Sequence, residues 1–147
     1  MMSAPVEQLS DLFRLELQLR LVGAALVAVG LGHVALPKAL GWPADLAAAS
    51  LMTRQVGYVH TLFVGLTCGF IGLLLLTSAS DLIGSGLGHR IAGGCAVFFG
   101  VRWWCEFFVY DSALWRGDRW RTAGHVAFGL LWTWIVVVLT ATALAGA

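Results

Sequence analysis

The chain has 147 residues, 59% of them hydrophobic and 12% charged, with a net charge of +1 and a mean hydropathy of +0.85. A water-soluble domain carries about 25% charged residues, so this composition excludes a water-facing globule. The near-neutral balance, without a basic stripe, gives no sign of a nucleic-acid partner.

Charge is absent from three stretches, Leu21–Pro37, Gln55–Ser80 and everything after Arg121. Each is close to or above the roughly 20 residues that cross a bilayer as a helix. The first predicted span covers about residues 15–36 and is ended by Pro37. Acids and bases precede it and no A-x-A cleavage site follows, so it reads as a retained span rather than a signal peptide. The second covers about 55–76 and is followed by "SASDLIGSGLGHR", a turn made flexible by Gly84, Gly86 and Gly88. The third, about 90–110, carries Arg102 and Glu106 and is the least hydropathic. After the polar, Trp-rich loop "YDSALWRGDRWRT", the fourth covers about 122–144. The expected fold is therefore all-α and integral to the membrane, a single domain built as a four-transmembrane-helix up-and-down bundle.

Four crossings put both termini on one face, side A. The loops Lys38–Arg54 and Asp111–Arg121 lie on the other, side B, and the excess of Lys and Arg there places side B in the cytoplasm and the termini outside. Trp42, Tyr58, Trp103, Trp104, Tyr110, Trp115 and Trp120 also gather toward side B, as an interfacial belt combined with site lining. Cys68, Cys95 and Cys105 form no C-x-x-C pair and read as small packing residues.

Each span brings one polar group to the same layer near side B: His33, His60, Glu106 with Arg102, and His125. At 1.5 Å per residue they lie roughly 5–10 Å inside the interface. Ionisable groups at such depth face the interior and are paired or functional. His33, His60, His125 and Glu106 are a fitting ligand set for iron, copper or zinc. Alternatively His60 and His125 are the axial ligands of a b-type haem, with Arg54 and Arg116 near its propionates. A third option needs no metal: Tyr58, Arg102 and Glu106 act with the histidines on a lipid or quinone. Bland readings stand beside these. Arg102 and Glu106, four apart, suit a plain ion pair, and Gly57, Thr61, Gly65 and Gly69 suit close helix packing.

The stretches "RQVGYVHTLFVGLTCG" and "RWWCEFFVYDSALWRGDRWRTAGHVAFGLLWT", with "GHVALP", resemble a group of small four-span bacterial membrane proteins without an established activity. The first span also resembles the start of DoxX-type four-span proteins. The resemblance implies a bacterial cytoplasmic membrane location. The leading expectation is a metal- or haem-binding redox protein exchanging electrons with a quinone, in contact with lipid and either a partner membrane subunit or further copies of itself. The alternatives are a non-catalytic accessory or assembly subunit, and a metal-free lipid- or quinone-modifying enzyme.

Overall fold

A computed structural model describes the backbone of residues 4–146 and the side chains of residues 10–146. In chain order the elements are α1 (Ala4–Ala39), α2 (Trp42–Asp45), α3 (Leu51–Thr77), α4 (Ala79–Gly84), α5 (Gly86–Phe108), a 3-10 turn (Ser112–Leu114) and α6 (Arg119–Leu144). No strand occurs among the described residues. Ser10–Ala39, Leu51–Thr77, Gly86–Phe108 and Arg119–Leu144 are each long and apolar enough to cross a bilayer. At most 33% of any of these spans is buried within the protein. Val97, Leu130, Phe63 and Phe70 are among the large apolar side chains left outside, where hydrocarbon rather than water solvates them. The protein is a multi-pass, all-α membrane protein of the four-helix bundle class.

The chain divides into two compact units, one formed by Arg20–Thr77 and the other by Ser78–Ala147 with the N-terminal segment through Leu19. In the first unit, α1 and α3 approach along glycines. A Cβ added at Gly23 would lie 2.6 Å from the Gly72 carbonyl oxygen, and one at Gly30 would lie 2.7 Å from that of Gly65. The seven-residue step from Gly23 to Gly30 is answered by the step from Gly72 back to Gly65, which fixes one antiparallel register. Backbones this close gain dispersion energy that larger residues would prevent, the small-residue packing used within membranes. At the far end, Arg20 Nη1 donates to the Leu76 carbonyl at 2.9 Å, placing a cation at the C-terminus of α3.

Pro37 does not end α1 at Leu36. It sits in the last turn, where its fixed φ suits a helix and only the bond to the His33 carbonyl is lost. The stop comes at Gly41, whose φ of 72° is left-handed and whose N–H donates to the Lys38 carbonyl. The loop that follows contains α2, and α3 then starts at Leu51, with the Ser50 hydroxyl accepting from Thr53 N.

In the second unit, α5 and α6 run antiparallel around Phe99, Trp132, Ile135 and Leu139. Phe99 and Trp132 stack at 5.8 Å. The stretch expected to be a flexible turn is ordered: α4 fills it, and Ser85 caps α5 by accepting from Gly88 N. Gly88 is needed for closeness, because a Cβ there would collide with the Leu82 carbonyl. Asp118 caps α6, its Oδ1 accepting from Trp120 N and Arg121 N.

Candidate functional site in the α5–α6 unit

Glu106, in the last turn of α5, is 5% exposed. A lone carboxylate in that position would be costly, and its two oxygens have different partners. Oε1 accepts from His125 Nδ1 on α6 at 3.0 Å, while Oε2 lies 2.9 Å from Arg102 Nη1 one turn back on α5. The second contact is an ion pair by distance only. Nη1 makes no directed hydrogen bond, so the attraction is Coulombic. The Arg102 guanidinium also faces the rings of Tyr110, at 5.5 Å, and Trp132, at 5.1 Å, which adds cation–π attraction.

The imidazole of His125 is held on three sides. Glu106 fixes its edge, Trp115 lies flat on it with centroids 3.8 Å apart and planes 8° from parallel, and Phe107 meets it edge-on. The loop folds Trp115 back by local means. Asp111 caps the 3-10 turn, Gly117 takes a φ of 86°, and the Thr122 hydroxyl donates to the Trp115 carbonyl. Thus Gly117 supplies the turn, and Trp115 covers the ring of His125.

Because an ionised carboxylate only accepts, His125 Nδ1 carries the proton toward Glu106. In this tautomer a neutral imidazole has its lone pair on Nε2. His33 and His60 show the same polarity. Their Nδ1 atoms donate to the carbonyls of Val29, at 2.8 Å, and Val56, at 2.9 Å. All three histidines therefore present Nε2 as the free nitrogen, the arrangement in which an imidazole binds a metal or takes a proton.

The candidates fall into three sets. Arg102, Glu106 and His125 come together in one unit. His33 and Tyr58 line one groove in the other, whereas His60 is exposed and outside that lining. Among the cation candidates, Arg54 is half-buried in the first turn of α3, and Arg116 is exposed on the loop. No group of three or more His, Cys, Asp or Glu is placed to hold a metal ion among the described residues. Tyr110, one of the side B aromatics, and Trp132, which was not among the sequence candidates, complete the Arg102 environment. The signal was spacing for Trp132, seven residues beyond His125 on α6; Tyr110 lies just past the end of α5. Comparison with known protein families, characterised proteins and solved structures finds no match for this chain.

Proposed function

We propose that this is a redox protein of the bacterial cytoplasmic membrane in which His125, oriented by Glu106, ligates a metal centre through Nε2. The observation that carries this reading is the part-buried Glu106–His125 hydrogen bond between two helices long and apolar enough to cross a membrane. A carboxylate on the far nitrogen fixes the tautomer, orients the ring and raises its basicity, as is usual behind a metal-bound imidazole. Glu106 is accordingly assigned to the shell behind the ligand, since both its oxygens are engaged. A b-type haem needs only two imidazoles, and His125 supplies one of them in this reading. That demand is lighter than the three-histidine, one-carboxylate sphere of a single metal ion. The redox partner is a membrane quinone, and the side of the membrane bearing the 111–121 loop is cytoplasmic.

A second reading is favoured by one observation: Glu106 is already satisfied by Arg102 and His125. On this view the cluster locks α5 to α6 in a non-catalytic accessory subunit. Absorption spectra and metal analysis of the detergent-purified protein divide the two. A Soret band, or bound transition metal, that disappears in His125→Ala supports ligation. A colourless, metal-free protein from haem- and metal-replete cells sinks it in favour of the lock.

A further inference from the structure

The α1–α3 unit carries a groove of about 450 Å³, within the roughly 300–1,000 Å³ typical of ligand pockets. Its floor is made by the same glycines that bring the helices together, Gly30, Gly65 and Gly69. Its long wall is the α3 stripe Leu62, Leu66, Phe70 and Leu73. From Tyr58 to Leu73 the groove follows α3 for about 22 Å at 1.5 Å per residue. That is the shape of a slot for one chain. Only one end is polar, where His33 and Tyr58 meet Pro37 and Thr61.

The chemistry of that end selects a head group. No charged side chain lines the groove, so a phosphate-bearing head finds no counter-charge in it. His33 Nδ1 is committed to the Val29 carbonyl, which leaves Nε2 as an acceptor for a hydroxyl. The Tyr58 hydroxyl can both donate and accept. A neutral ring bearing hydroxyl or carbonyl oxygens, attached to an apolar chain, matches both requirements. We propose that this groove binds an isoprenoid quinol, with one ring hydroxyl donating to His33 Nε2, its other ring oxygen at Tyr58 and its tail along the α3 stripe. The choice of a quinol over another neutral amphiphile rests on the redox reading above; the groove does not.

The glycines supply the test. A Cβ at Gly69 would meet nothing within 4 Å, so Gly69→Leu enters the slot with its first carbon clear of α1. Leu66→Trp fills it from the exposed wall and guards against a folding defect in the first variant. Equilibrium binding of decylubiquinol and decylubiquinone is measured in nanodiscs of phosphatidylethanolamine and phosphatidylglycerol. The wild-type protein is expected to bind the quinol, and each filling variant to bind at least tenfold more weakly while keeping its helical content. His33→Phe keeps the volume, loses the acceptor and should weaken the quinol about tenfold, more than the quinone. Quinol binding that is absent, unchanged in both filling variants, or abolished equally by decanol would overturn the proposal and leave a slot for lipid chains. Because no metal or haem is needed for this binding, it succeeds or fails separately from the spectra that test His125.

Discussion

Glu106 holds two helices at once, through Arg102 on its own helix and His125 on the next. Removing one member of a buried charged set leaves the others unpaired, a penalty of about 3–5 kcal/mol where burial is complete. Arg102 is 34% exposed at its side chain, which places Glu106→Ala below that range, at about 2 kcal/mol, in thermal unfolding in detergent. Glu106→Gln retains an oxygen that accepts from Nδ1 and should lose less, so the order Ala below Gln below wild type is the expected result. Trp115→Ala removes the stacked face of His125 and should cost about 1 kcal/mol beyond the area it uncovers. The residues of this cluster were legible from the sequence because charge inside an apolar span is conspicuous. Their pairing was not. Whether Glu106 shares a ligand sphere with His125 or hydrogen-bonds to it depends on helix rotation, which depth along the helix does not report.

Among the elements, the two hairpins are built on different devices. The α1–α3 pair depends on backbone approach, so Gly30→Leu would drive a side chain into the Gly65 carbonyl and Gly69 backbone. That variant should fail to give a folded protein in detergent, whereas Gly69→Ala should gain about 0.5–1 kcal/mol from reduced chain entropy. Equal behaviour of the two would refute the register. The α5–α6 pair depends on aromatic side chains and a capped loop, and Asp118→Ala should cost about 1 kcal/mol by stranding the first amides of α6. Span positions follow from hydropathy because the bilayer demands long uncharged runs. Helix ends did not follow as well. Pro37 read as a terminator although a last-turn proline forfeits one bond, and Gly84, Gly86 and Gly88 read as flexibility although close packing at Leu82 requires Gly88. Of the glycines in the α3 stripe, Gly65 serves helix packing as its bland reading expected, whereas an added Cβ at Gly57 or Gly69 would meet open space.

For the whole molecule, four helices are each long and apolar enough to cross a membrane, and the proposed topology has both chain ends on one side. The side itself rests on the charge bias of the loops. Alkaline phosphatase fused after Ala147 should be active, and fused within the loop after Trp42 should be inactive; the reverse pattern would invert the orientation and turn the Glu106–His125 end toward the outside. The central claim is that Glu106 acts on a bound centre through His125. The direct measurement is the affinity of the purified apoprotein for haem, and in parallel for Fe(II), Cu(II) and Zn(II), in wild type and Glu106→Gln. The expected result is a centre that binds with His125 as ligand and is weakened tenfold to a hundredfold when the carboxylate is replaced. Binding that does not change in Glu106→Gln, or no binding of any of these by the wild-type protein, would contradict it.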